Sequence, residues 1–171
     1  FVVVNNYRLN DWAPYLYHTT DFGRKWKRLA GPKNVEGFCL SVVQDPEVPE
    51  LLFLGTDQGL YFSTNAGENW TLWPRIADGK PGGLPAMPVQ DMKIHPRDGD
   101  LVLATFGRGI WILDNIAPLR ELTRNQKLTE QSFKLFQPQP AYLAAWRSYD
   151  GPRFSADAFY EAPTKGTAAQ V

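Results

Sequence analysis

Two segments of the chain carry the same eight-residue pattern. Thr19-Thr20-Asp21-Phe22-Gly23-Arg24-Lys25-Trp26 and Ser63-Thr64-Asn65-Ala66-Gly67-Glu68-Asn69-Trp70 both read hydroxyl, any, Asp or Asn, any, Gly, any, any, Trp. The second Trp follows the first by 44 positions, from 26 to 70. A period of that length suits a unit of four short strands and exceeds what a hairpin repeat needs. Such a unit cannot bury its own apolar faces and must stack on a neighbour, so the repeat restricts the chain to architectures in which similar sheets pack in series.

The segments between the two patterns read as strands. Phe38-Cys39-Leu40-Ser41-Val42-Val43 runs into Asp45-Pro46, then Leu51 to Gly55 and Leu60 to Ser63 follow, with Asn69 to Trp73 as a fourth strand. These are short β-rich runs broken by Pro, Asp and Gly, with no sustained 3.6-residue periodicity. The plan recurs about 50 positions later: Ile94-His95-Pro96 stands to Gln44-Asp45-Pro46 as Gly109-Ile110-Trp111-Ile112 stands to Gly59-Leu60-Tyr61-Phe62. The difference in length falls in Asp78 to Pro85, a Gly/Pro-rich loop where an insertion costs little. A truncated unit precedes both, with Val2 to Asn5 as its second strand and Tyr15 to Thr19 as its third. Beyond Trp111 the repeat decays: Pro118 to Arg124 predicts a short helix capped by Asn115 or a neighbour, and Phe133 to Phe136 predicts a strand. From residue 137 to 171 the Pro, Ala and Gly content predicts an irregular tail or interdomain linker.

The predicted fold is therefore all-β: a partial β-propeller of about two and a half four-stranded blades over residues 1–136, with a short helix and an irregular C-terminal tail. A propeller closes with at least about four blades, and an open arc leaves a strand edge and an apolar face uncovered. The reading thus expects the remaining blades as partners, from the same polypeptide or another chain.

Within the repeated turns, Asp21 and Asn65 are placed to accept backbone N–H groups, Gly23 and Gly67 to take positive φ, and Trp26 and Trp70 to pack beneath the hairpin, with Thr19 and Ser63 opening each motif. The Asn at 65 argues for a structural role over a catalytic or metal-binding one, because Asn is a poor substitute for an acid or base.

Charge and cysteine usage narrow the function classes. Eighteen Lys and Arg balance eighteen Asp and Glu, so no net field favours nucleic acid or an anionic membrane. No apolar run reaches the roughly 20 residues of a spanning helix. Cys39 is the single cysteine and reads as a small buried hydrophobe. His18 and His95 are isolated, with no second ligand at metal spacing, so neither a metal nor a cofactor is expected. Arg24-Lys25-Trp26-Lys27-Arg28 reads as a solvated hairpin face.

The repeated Ser/Thr-x-Asp-x-Gly-x-x-Trp pattern resembles the Asp-box, or bacterial neuraminidase repeat, of sialidases, xyloglucanase-type glycoside hydrolases and sortilin-type propellers. Arg8 to Tyr17 and Ala104 to Asp114 are further similar to the closing blades of large secreted bacterial proteins with a sortilin-like propeller, often labelled glycosyl hydrolase by similarity. The resemblance implies an exported location, at the cell surface, in the periplasm or secreted. It has two departures. Phe106 stands where that group carries His in a Thr-His-Gly-Arg pattern, and one cysteine cannot supply the cysteine-rich module of animal sortilins.

Propeller ligand sites usually occupy the face formed by the turns from second to third strand and between blades. On that face the candidates are Arg8, Asn10, Asp11 and Trp12, then Asp57 and Gln58, then Arg108, with Asp78 and Lys80 from the long loop. Arg8, Asp11, Trp12, Asp57 and Arg108 are the ligand-binding candidates; Trp12 beside Asp11 and Arg8 suits a sugar ring. Two readings follow: a noncatalytic binding or assembly scaffold for a glycan or protein ligand, or a propeller glycoside hydrolase whose carboxylate pair lies partly in other blades. Asp11, Asp57 and Asp91 are conceivable acids, yet nothing in their spacing selects the pair that such hydrolysis requires.

Overall fold

A computed structural model of the chain describes residues 1–76 and 82–138. It divides into two units, Phe1–Lys134 and Leu135–Val171; of the second, residues 135–138 are described and lie outside helix and strand. Asp78, Lys80 and nearly all of the expected tail fall outside the described residues.

Among its described residues the first unit has three antiparallel sheets and one short α-helix. The first sheet joins β1 (Val2–Asn6), β2 (Asp11–His18) and β3 (Lys27–Ala30) in that order. The second joins β4 (Cys39–Gln44), β5 (Leu52–Thr56), β6 (Leu60–Ser63) and β7 (Thr71–Leu72). The third joins β8 (Val89–Ile94), β9 (Leu101–Thr105) and β10 (Ile110–Leu113). Each is a meander in which sequence neighbours pair. Helix α1 (Ala117–Arg124) follows, with Pro118 near its start. Its N-cap is Ile116, whereas Asn115, one residue earlier, accepts the Ala117 N–H at 3.1 Å.

The second sheet lies between the other two, and its sequence says why. Leu51-Leu52-Phe53-Leu54 is a continuous apolar run, the mark of a strand covered on both faces. Alternation then divides it. Leu52 and Leu54, with Tyr61, join Leu16, Leu29, Ala30, Val35 and Cys39 in one core, while Leu51, Phe53 and Leu60 join Val89, Met92, Leu101, Leu103 and Ile116 in the other. Gly55 lets the third sheet come close: a Cβ there would lie 2.6 Å from the Val89 carbonyl oxygen.

Three expectations are corrected. The fourth strand of the second sheet is shorter than Asn69 to Trp73, because the Asn69 N–H is taken by the Asn65 side chain instead of a strand partner. Strand β2 starts at Asp11, well before Tyr15: the chain reverses in one 3-10 turn at Tyr7–Leu9, with Asn10 at φ 61°, so that Asp11 pairs with Asn6. Asp11 and Trp12 are thus strand residues. Phe133 to Phe136 forms no strand, and Phe133 and Leu135 are exposed.

Candidate functional site

The turns from β1 to β2, β5 to β6 and β9 to β10 lie at one end of the sheets. Phe38, just ahead of β4, ties the first two together. Its N–H donates to Asp57 Oδ1 at 2.9 Å and its carbonyl accepts the Asp57 N–H at 3.2 Å. Its ring meets Tyr7 at 4.9 Å and Trp12 at 5.7 Å between centroids. The third turn follows through β8: Ser41 Oγ donates to the Val89 carbonyl at 2.9 Å, and the neighbouring Pro88 carbonyl accepts the Phe106 N–H at 3.0 Å. The second and third turns repeat one geometry, the hydroxyls of Thr56 and Thr105 donating to the carbonyls of Gly59 and Gly109.

Of the candidate ligand-binding residues, Trp12 and Asp57 meet at Phe38, and Arg8 lies beside the Tyr7 ring that stacks on it. Trp12 is 54% exposed with its Nε1 donating to Asn10 Oδ1 at 3.0 Å. The Arg8 guanidinium lies 6.0 Å from the centroid of the Tyr7 ring. The result is an open aromatic surface of Tyr7 and Trp12 edged by a cation. Arg108 stands on the third turn with its side chain exposed and its carbonyl accepting the Trp111 indole N–H at 2.9 Å.

The carboxylates are engaged within the fold. Asp11 Oδ2 accepts the Tyr15 hydroxyl at 2.8 Å and Oδ1 the Ala13 N–H at 3.1 Å. These bonds, the Tyr15 one foremost, hold the Asp11 carboxyl below the ordinary carboxylate range and push the Tyr15 phenol above its own. A general acid for glycoside hydrolysis needs the opposite shift. Asp57 accepts the Phe38 N–H through one oxygen and the Gln58 side-chain amide through the other, at 2.6 Å. Asp91, exposed on β8, accepts the N–H of its neighbour Met92 at 2.8 Å.

The two repeated turns, at the other end of β2 and β6, share their bonds one for one. The hydroxyls of Thr19 and Ser63 each donate to the side-chain oxygen two residues on, at 2.9 Å, and accept the N–H groups of Gly23 and Gly67, also at 2.9 Å. That same oxygen, on Asp21 or Asn65, accepts the N–H four residues ahead, at 2.8 and 2.9 Å. Only an accepting Oδ1 is used, which is why acid and amide interchange. Phe22 and Gly23, like Ala66 and Gly67, sit at positive φ. The tryptophans differ. Trp70 donates to the Leu29 carbonyl of the first sheet at 3.0 Å and packs on that core, whereas Trp26 donates to Gly23 in its own turn at 2.9 Å and is 47% exposed.

Neither histidine sits in a ligand set. The His18 ring stacks on Phe1 at 4.3 Å, and His95 Nδ1 accepts the Asp98 N–H at 3.2 Å. Among the described residues no group of three His, Cys, Asp or Glu side chains could hold a metal ion. Arg28 departs from a purely solvated face: its guanidinium lies 4.5 Å from the centroid of the Tyr15 ring and donates to the Pro14 and Ala30 carbonyls. Tyr7 and Phe38 stand outside the candidates expected from the turns, and the signal for Tyr7 was an aromatic beside the turn that Asn10 closes, whereas Phe38 comes from a remote segment. Comparison with known proteins finds no family model and no curated protein that matches this chain.

Proposed function

We propose that this chain is a segment of an exported, sortilin-like β-propeller that acts as a noncatalytic binding or assembly scaffold, its Asp-box turns serving as staples. The reading draws on the motif resemblance, on three meander sheets packed in series, and on the matching bonds of the two turns. The observation that carries the noncatalytic part is the engagement of Asp11 and Asp57 by groups of their own fold, with the Asp11 shift opposite to that of a general acid. The Tyr7 and Trp12 surface with Arg8 beside it favours a glycan as ligand, since an exposed aromatic face stacks on a sugar ring and a cation bonds its hydroxyls or acidic groups.

The test is a titration of soluble oligosaccharides, neutral and acidic, against the chain and against Trp12→Ala. Saturable binding lost in Trp12→Ala supports the reading. Turnover of any glycan that Asp11→Asn and Asp57→Asn abolish would replace it with the hydrolase.

A further inference from the structure

The repeat makes residues of the three sheets comparable one by one. Thr19 and Ser63 occupy the same place, so Tyr17 corresponds to Tyr61, and their cross-strand partners Val2 and Leu54 correspond as well. In the third sheet the same place holds Trp111, paired with Leu103. Each sheet thus presents one aromatic and aliphatic pair on the same face. In two of the three a preceding sheet covers it: Leu54 and Tyr61 are buried against Leu29 and Ala30 of the first sheet, and Leu103 is buried, with Trp111 half-buried beside it, against Phe53 and Leu60 of the second. In the first sheet the aliphatic member lies open beside a half-buried Tyr17. Val2 is 41% exposed where Leu54 is 0%, and Val2, Tyr17 and Trp26 line an apolar groove.

We infer that this groove is the docking surface for a further four-stranded antiparallel sheet of the same repeat, which lays its fourth strand across Val2, Tyr17 and Trp26 and offers a backbone carbonyl to the Trp26 indole. The occupant follows from how this chain covers its own second sheet. There the fourth strand of the covering sheet, β3, supplies Leu29, whose carbonyl takes the Trp70 N–H and whose side chain lies over Gly67. Trp26 has Gly23 O as a substitute acceptor, a bond that a rotation of the indole exchanges for the carbonyl of a neighbour. A second copy of this chain is the poorer fit. Its third sheet has no fourth strand among the described residues, so it lacks the element that supplies the carbonyl. The inference rests on the blade part of the proposed function and is independent of any glycan at Trp12.

The test supplies a covering sheet. A second copy of residues 38–76 is fused ahead of Phe1 of the full chain through a Gly/Ser linker of about 20 residues, a length that spans the approach without directing it. Oxidative footprinting of Trp26 is then compared with that in the unfused chain, with Trp70 as internal reference. The expected result is at least tenfold slower modification of Trp26 in the fusion. A Val2→Asp fusion should lose that protection while its original second and third sheets keep their hydrogen-exchange protection. Unchanged Trp26 modification in the fusion overturns the inference, and so does an unfused chain that dimerises with Trp26 already protected. Neither result bears on oligosaccharide binding at Trp12, so the two proposals fail separately.

Discussion

Arg120 on helix α1 and Asp45 in the turn after β4 are 75 positions apart in sequence and joined Nε to Oδ2 at 2.8 Å, with side chains 10% and 0% exposed. The other Asp45 oxygen accepts the N–H groups of Glu47 and Val48, and a second Arg120 nitrogen reaches Glu47 at 2.6 Å. The pair pins the helix that follows the third sheet onto the second. Removing one member of a buried pair strands the other's charge, which costs about 3–5 kcal/mol. Arg120→Met is therefore expected to destabilise the chain by about 3 kcal/mol in urea unfolding and to raise hydrogen exchange first at Glu47 and Val48. A cost below about 1 kcal/mol would show that the helix does not hold that turn.

Gly55→Ala tests the seam between the second and third sheets. The added methyl would stand 2.6 Å from the Val89 carbonyl oxygen and crowd Ser41, and backbone cannot swing aside as a side chain end can. A loss of about 3 kcal/mol is expected, in the upper range for overpacking, with exchange rising in β4, β5 and β8 together. Stability within about 0.5 kcal/mol of the parent would mean that the sheets part there easily.

The turns should differ in acid although they are alike at neutral pH. The Asp21 carboxyl is held below its ordinary value of 3.8 chiefly by the Lys25 N–H, with the Thr19 hydroxyl assisting. A depressed folded pKa gives stability that is complete above the unfolded value and is lost as pH falls through the folded one. Below about pH 3.8 the protection factor of the Lys25 amide is expected to drop. That of the Asn69 amide, bonded to the non-titrating Asn65, should hold. Equal loss at both amides would show that global acid unfolding, not Asp21, governs the turn.

Cys39 should be silent until the fold opens. It is fully buried at the start of β4, and burial pushes its thiol up to about 11. The thiolate is the reactive form, so labelling with a disulfide reagent at about pH 8 is expected to follow the urea unfolding curve. Fast labelling in native buffer would place the first core in open exchange with solvent.

Much of this architecture is legible in the residues. Alternation and turn chemistry mark six strands of the first two sheets to within a few positions and the plan of the third by its repeat, while β3, inside the basic run Arg24 to Arg28 and its sequel, went unmarked; the hydroxyl, Asp/Asn, Gly, Trp spacing locates two turns with their bonding side chains. The candidate face was legible only in part. Which end of the sheets carries Arg8, Trp12 and Asp57 follows from strand order, yet the meeting of Trp12 with Asp57 depends on Phe38, which is remote in sequence from both turns.

What the sequence by itself determined is local: strand, turn and register are consequences of side-chain alternation and of short-range acceptors such as Asp21 and Asn65. Tertiary structure alone decided which face of each sheet is covered, which carboxylates are spent on neighbours, and that Arg120 reaches Asp45. Those outcomes depend on contacts between residues tens of positions apart, and no local pattern encodes which of many equivalent apolar faces will be brought together. Identical turns thus give Trp70 a neighbour's carbonyl and leave Trp26 with its own.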